Sequence, residues 1–473
     1  MPVATRVLGE ATLDELGRSL AGEVVAPGHP EYEAARRVWN GSIDRRPAVI
    51  ARCAGVADVI EAVRFARSEG LLTAVRGGAH NVAGHSTCDD GIVIDLAGMR
   101  RVEVDAGAMT ARVEGGALWG DLDGAAQAAG LATTGGMISS TGVGGLTLGG
   151  GVGWLMRKHG LTCDNLVAAD LVTADGATMR ARDDENPDLF WALRGGGGNF
   201  GVVTSFEFRL HPVGQVLGGA ILHPLERLGD LLRFHRDFAP AAPDELTTLL
   251  AVTTVPPAPD FPPELHGRRV AAVGFCHAGG PEEGERAIAP LRRFARPLLE
   301  RVGVMPYAVR QRLQDASAPA GCGNYWKSEY LAGLDDGLID LIAERAGQLT
   351  SPRSMLQLYH LGGAVARVPE DATAYSHRSA PFLFSIVSFW DDPAADASQH
   401  VEWTRAFWRE LRPYAAGAYV NFMDEDEPGR IKDAYGDGKY RRLAAVKAAY
   451  DPTNFFRLNH NVEPAEPAGE GAR

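Results

Sequence analysis

Apolar positions along this chain recur at two spacings, and the switches between them outline its elements. Residues 48–53, AVIARC, read as a strand, after which Val56, Ile60 and Val63 recur at helical spacing on a segment ending near Gly70. The apolar run 71–75 is the next strand. Together they predict a β-α-β unit whose last loop lies at a strand's carboxyl end, where open α/β sheets bind ligands. Residues 91–96 and 101–113 predict further strands, 117–129 a short helix and 166–173 a strand. Residues 186–210 predict a short helix, a four-glycine turn and an alternating strand that closes a first lobe. In the middle third, RRVAAVGFCHAG reads as a strand ending near Gly279, and 282–302 and 335–350 carry charges on one face and apolar residues on the other. Strands at 355–368 and 381–390 would complete an antiparallel sheet covered by those helices. Residues 441–449 are helical in pattern, and the terminal AEPAGEGAR reads as a disordered tail.

A chain of 473 residues exceeds one compact core. Apolar content of 45% and charged content of 23% are ordinary globular values. The net charge of −13, from 47 basic and 60 acidic side chains, argues against nucleic acid or an anionic membrane as partner. Five cysteines, at 53, 88, 163, 276 and 322, are odd in number and scattered, with no metal-ligand spacing, so neither a disulfide framework nor a metal site is expected. No run approaches a membrane span, and the N-terminal stretch lacks the pattern of a secretory leader, so a cytoplasmic protein is expected.

Candidate chemistry concentrates in RGGAHNVAGHS, residues 76–86. A glycine pair after a strand lets main-chain N–H groups approach a phosphate. The histidine that follows, His80, suggests that the phosphate belongs to a larger cofactor whose reactive ring the imidazole touches; the plainer reading is a surface loop with a solvated histidine. A second glycine-dense region, residues 133–160, is interrupted by Val, Leu, Ile and Met, which excludes a flexible linker. A second phosphate contact around residues 141–145 is expected, the alternative being a tightly packed structural turn. Cys163 has polar neighbours, Thr162, Asp164 and Asn165, which sets it apart from Cys53 and Cys276 in their apolar runs.

In order along the chain, RGGAHNVAG, TGVGGLTLGGGVGW, GLTCDN, DLFWALRGGGGNFGVV, YVNF (419–422) and YDPTNFFRLNHNVEP (450–464) resemble the successive signatures of FAD-linked oxidases related to berberine bridge enzyme. These share the vanillyl-alcohol-oxidase-type, or PCMH-type, FAD-binding fold. The resemblance implies an α+β protein: an FAD-binding domain at 1–212, a substrate-binding domain at 213–413 built on an antiparallel sheet covered by helices, and a segment at 414–473 returning to the FAD domain.

The same resemblance implies a flavin attached covalently through His80, with His85 as competing nucleophile, and a second thioether bond from Cys163. Imidazole nitrogen and thiolate are the side chains able to attack an electron-poor isoalloxazine. The pyrophosphate would lie against Arg76, Gly77, Gly78, Ala79, His80 and Asn81, and against Thr141, Gly142, Gly144 and Gly145, with Gly84 a further cofactor-binding residue. Asn165 flanks the second attachment, Gly201, Val202 and Val203 would face the adenine end, and Asn421 and Asn459 would close over the cofactor. Tyr325, Trp326, Tyr359, His360, Arg367 and Trp390 are suited to line a cleft above the flavin.

The implied reaction is a two-electron oxidation of an alcohol, a carbohydrate or a polyketide-like secondary metabolite, with hydride passing to flavin and dioxygen reoxidising it. Where many relatives place a tyrosine base at the end of Y-x-N-Y, this chain has Phe422, so the base is expected among Tyr419, Tyr325, His360 and Glu329. Leu166, three residues after Cys163, matches a position that in plant relatives governs access of oxygen. A dehydrogenase using a non-oxygen acceptor and a catalytically silent flavin-binding or ligand-binding protein are the alternatives.

Overall fold

The computed structural model describes residues 8–426 and 429–466. Most of the expected tail, 467–473, lies outside them. Among the described residues no helix is long and apolar enough to cross a membrane.

Among the described residues, three large sheets and one two-stranded pair build the molecule. The first takes β1 (Glu23–Val25), β2 (Val49–Arg52), β3 (Thr73–Arg76) and β4 (Ile92–Asp95) in the order β1-β2-β4-β3. β2 and β3 each pair in parallel with β4, which enters between them. Their Val and Ile side chains are buried on both faces, as a parallel sheet requires, except Val75, which is part-buried and lines a cleft. The helix Val56–Ser68 covers one face with Val59, Ala62, Val63 and Ala66.

The second sheet contains β5 (Val102–Asp105), β6 (Thr110–Glu114), β8 (Leu166–Val172), β9 (Thr178–Arg182) and β10 (Val202–Arg209), in the order β5-β6-β10-β8-β9 and antiparallel throughout. β7 (Leu131–Ala132) pairs apart from it with β11 (His211–Pro212). The inward residues Val113, Phe206 and Phe208 share one core with Leu443, Ala444 and Val446 of the C-terminal helix Ile431–Tyr450. The end of the chain thus packs against its first half.

The third sheet has eight antiparallel strands: β12 (Gln215–Pro224), β13 (Leu246–Thr254), β14 (Arg269–His277), β15 (Leu299–Pro306), β16 (Gly323–Leu331), β17 (Met355–His360), β18 (Phe382–Trp390) and β19 (Ala415–Gly417). Their order is β15-β12-β14-β13-β17-β18-β16-β19. Helices Leu228–Phe238, Pro281–Arg293, Asp336–Ala346 and Ser398–Leu411 pack on one face through Leu231, Ile288, Ile339 and Phe407. The opposite face looks toward the first two sheets, with Leu249, Tyr330, Tyr359 and Leu383 meeting Trp154, Tyr375 and Tyr419.

The expected helix over 282–302 ends at Arg293, and the chain continues as β15. β15 is an edge strand, paired only with β12 and largely exposed, so it lacks the buried alternation that marks a strand in sequence. The strand expected over 355–368 stops at His360, where Gly362 and Gly363 take φ of 79° and 56° and turn the chain.

Candidate functional site

A cleft of about 320 Å³ lies between the glycine turns of the first two sheets and the inner face of the third. Gly77, Gly78, Ala79, His80 and Asn81 line it after β3, and Thr141, Gly142, Gly144 and Gly145 line it from the second glycine region. The two turns are in backbone contact. A Cβ on Gly78 would stand 2.4 Å from the Gly142 nitrogen, and one on Gly142 would stand 2.4 Å from the Gly78 nitrogen. These glycines therefore serve each other's close approach as well as any ligand's. Gly197, Gly198, Asn199, Gly201 and Val203 add the four-glycine turn, and Asn421, Asn459 and His460 the C-terminal segment.

His80 is aimed by its neighbours. Ala79, just before it, holds a left-handed φ of 54°. The Trp39 indole lies flat on the imidazole, centroids 4.2 Å apart and planes 18° apart, and is itself fixed by a 3.0 Å hydrogen bond from its Nε1 to the Ala318 carbonyl. Burial pushes the His80 pKa down to about 4, so the ring is neutral at pH 7. Its Nε2 is buried without a hydrogen-bond partner. His85 also lines the cleft, but its Nε2 stands 3.7 Å from Glu425 and its ring packs edge-on against His460.

On the sheet side, Trp326, Met355, Gln357, Tyr359, Val387 and Phe389 face the cleft, and Phe422 packs on Trp326, Tyr359 and Tyr419. The Tyr419 hydroxyl accepts hydrogen bonds from the Gly151 N–H at 3.0 Å and the Asn421 amide at 2.9 Å. Burial pushes its pKa up to about 12, against the pull of those two donors. Both donors favour the phenolate but burial outweighs them, so Tyr419 rests as the neutral phenol at pH 7 and can accept a proton only in the ionised form that those donors stabilise.

Several expected site residues lie elsewhere. Tyr325, Glu329 and His360 are on the helix-covered face of the sheet. Tyr325 donates to Asp426 at 2.5 Å, Glu329 pairs with Arg430 at 2.8 Å and accepts from Trp408 Nε1, and His360 meets Arg157 at 2.9 Å. Strand residues alternate between faces: Trp326 beside Tyr325, Tyr359 beside His360 and Tyr330 beside Glu329 take the opposite face. Trp390 stacks on His400, and Arg367 is exposed and paired with Asp244.

Arg76 points back into its own lobe, bonding the Ala35 and Ser86 carbonyls with Asp95 3.5 Å away. Gly84 turns against Ile43, and Val202 is buried in the core behind the first sheet. Asn165 donates to the His159 and Leu161 carbonyls. Cys163 is fully buried among Trp154, Met156, Tyr375 and Tyr419 and is not among the residues lining the cleft. Burial and the neighbouring Asp164 push its thiol well above the ordinary range, which disfavours the thiolate. Leu166 opens β8 inside the core and likewise does not line the cleft. Met137, Ile138, Gln314, Met355 and Gln357, which do line it, carry no motif and were not expected.

The cleft suits FAD: paired glycine turns for the phosphates, an unpartnered neutral imidazole for the ring, and apolar walls. Residues 47–182 match the family model of the FAD binding domain, and residues 418–463 that of berberine and berberine-like proteins. The chain is 33% identical over 459 residues to an FAD-linked oxidoreductase of Dictyostelium discoideum, covering 96% of this chain and 97% of the relative. It is also 33% identical to (R)-6-hydroxynicotine oxidase of Paenarthrobacter nicotinovorans, covering 94% and 97%. The crystal structure of 6-hydroxy-D-nicotine oxidase from Arthrobacter nicotinovorans superposes with a TM-score of 0.85 at 32% identity, covering 94% of this chain and 99% of that one. The xylooligosaccharide oxidase of Myceliophthora thermophila, in complex with xylobiose, superposes at 0.83 with 25% identity, covering 96% and 100%. Together with the paired glycine turns and the C-terminal segment folded back upon them, these matches mean that the chain belongs to the berberine bridge enzyme-like family of FAD-linked oxidoreductases.

Proposed function

We propose that this enzyme is an oxidase that carries FAD attached covalently through His80 alone, oxidises a small alcohol-type molecule and returns its electrons to dioxygen. FAD supplies the two-electron acceptor. The chain supplies the rest. Gly77 to Asn81 and Thr141 to Gly145 cradle the pyrophosphate, and Asn421 and Asn459 hold the cofactor from the C-terminal side. Trp39 keeps the His80 ring in one orientation, and Tyr419, as the phenolate that the Gly151 N–H and the Asn421 amide stabilise, takes the substrate's proton and becomes the neutral phenol.

The buried, unpartnered Nε2 of a neutral His80 carries this reading. His85, paired toward Glu425, is the less suited nucleophile, and Cys163, buried off the cleft, is assigned a packing role. The substrate is drawn from the alcohols, carbohydrates and secondary metabolites, and we assign the enzyme to the cytoplasm, where five buried and unpaired thiols suit a reducing environment.

Acid precipitation tests the attachment. The wild-type and Cys163→Ala polypeptides should keep their yellow colour, and His80→Ala should release it to the supernatant. Colour lost from Cys163→Ala, or kept by His80→Ala, contradicts the assignment. Anaerobic bleaching by a substrate followed by rapid recovery in air is expected of the oxidase; bleaching without recovery would make it a dehydrogenase.

A further inference from the structure

The substrate end of the cleft carries a chemical signature beyond its placement. No Asp, Glu, Lys or Arg is among the described residues lining it. The charged side chains of β16, Lys327 and Glu329, alternate to the other face, where they meet Asp426 and Arg430. A cationic amine or a carboxylate bound here would be desolvated with no opposite charge to meet it.

The walls are aromatic, with rings set edge-on to one another. Trp326 packs edge-on against Trp39 at 6.2 Å and Phe422 at 5.1 Å, while Phe389 meets Trp39 at 5.5 Å. Such a surface favours a planar ring, by stacked or edge contacts. Polar groups on this face concentrate in one row. Gln357, Ser385 and Ser328 are cross-strand partners on β17, β18 and β16. The Gln357 side-chain carbonyl is engaged by the Tyr359 hydroxyl at 2.8 Å, which leaves its NH2 group to donate into the cleft. Behind it the Ser385 and Ser328 hydroxyls are buried without hydrogen-bond partners.

The geometry points to an uncharged aromatic substrate, packed against the Trp326 and Phe422 rings, with one ring-borne hydroxyl or carbonyl oxygen, distinct from the oxygen that is oxidised, accepting from the Gln357 amide. A glycan, which asks for hydrogen bonds around its whole perimeter, would meet apolar wall on most of them. This inference rests on the flavin-oxidase reading for which end of the cleft receives substrate.

Four probes separate the classes on the yellow holoprotein without oxygen: 4-hydroxybenzyl alcohol, benzyl alcohol, benzylammonium and xylobiose. Binding is followed both by perturbation of the flavin absorption and by quenching of tryptophan fluorescence. The hydroxybenzyl alcohol should bind at least about tenfold tighter than xylobiose and benzylammonium. Gln357→Leu should weaken 4-hydroxybenzyl alcohol about tenfold and leave benzyl alcohol unchanged, as expected for loss of one hydrogen bond; Gln357→Asn, which shortens the amide, replaces it if the leucine variant does not fold. The inference is overturned if xylobiose or benzylammonium comes within tenfold of the aromatic alcohol, or if the substitution weakens both alcohols equally. A colourless preparation would overturn the oxidase reading, while the fluorescence ranking would still decide the ligand class.

Discussion

Ala79 holds a left-handed backbone with a side chain that disfavours it, and the residue it delivers into the cleft is His80. Ala79→Gly should remove that strain at some cost in unfolded-chain entropy, for a net gain of up to about 1 kcal/mol in urea unfolding. A loss instead would mean that the methyl group has a packing role. Tyr419 is the other residue on which function turns. Tyr419→Phe removes the hydroxyl that accepts from Gly151 and Asn421, and kcat should fall about 10²-fold with substrate affinity little changed. A variant within threefold of wild type would exclude Tyr419 as base. Of these features the histidine was legible because glycines and an imidazole form a contiguous pattern. The Trp39 stack beneath it was not, since its partners come from 41 to 279 positions away in the chain.

At the level of the strand, one property separates the expected residues that line the cleft from those that do not: the parity of the pleat. On β16 and β17, Trp326 and Tyr359 line the cleft, while Tyr325, Glu329 and His360 are out of phase and face the helices. Sequence composition does not reveal which face is which here, because both faces of the third sheet are buried, one by helices and one by the flavin lobe. Glu329 shows the consequence. Glu329→Gln should cost about 3 kcal/mol by breaking the buried pair with Arg430, while kcat and KM of the folded fraction stay within about twofold. A large fall in kcat with unchanged Tm would return Glu329 to the catalytic set. The second glycine region was legible as a place of close approach, but half of its explanation is a contact between two loops, Gly78 against Gly142, that no local pattern displays. Gly142→Ala should therefore destabilise the protein by roughly 2 kcal/mol or more even before cofactor is considered.

Across the whole molecule, several imidazoles are buried, and this sets how the fold responds to acid. His235 is fully buried between its helix and the third sheet, where it meets Thr248 at 2.8 Å; desolvation, then Arg157, pushes its pKa down to about 4. Desolvation likewise pushes His80 and His211 down to about 4 and His159 to about 3. A histidine whose folded pKa lies below its unfolded value of 6.5 binds fewer protons in the native state throughout the interval between the two. Its contribution is fully present above pH 6.5 and is lost as pH falls toward 4; for His235 alone the difference is about 3 kcal/mol. Asp123 acts in the opposite sense. Burial raises its pKa to about 7, so it favours the native state at low pH and loses that contribution as pH rises from 4 to 7. Burial raises Glu329 to about 7 in the same way; with four imidazoles, at 80, 159, 211 and 235, against these two carboxyls, Tm should fall as pH is lowered from 6.5 to 4. His235→Gln should flatten that dependence and Asp123→Asn should steepen it. Thermal unfolding across this range checks both signs together, and an unchanged slope in both variants would remove the buried groups as the source of acid sensitivity.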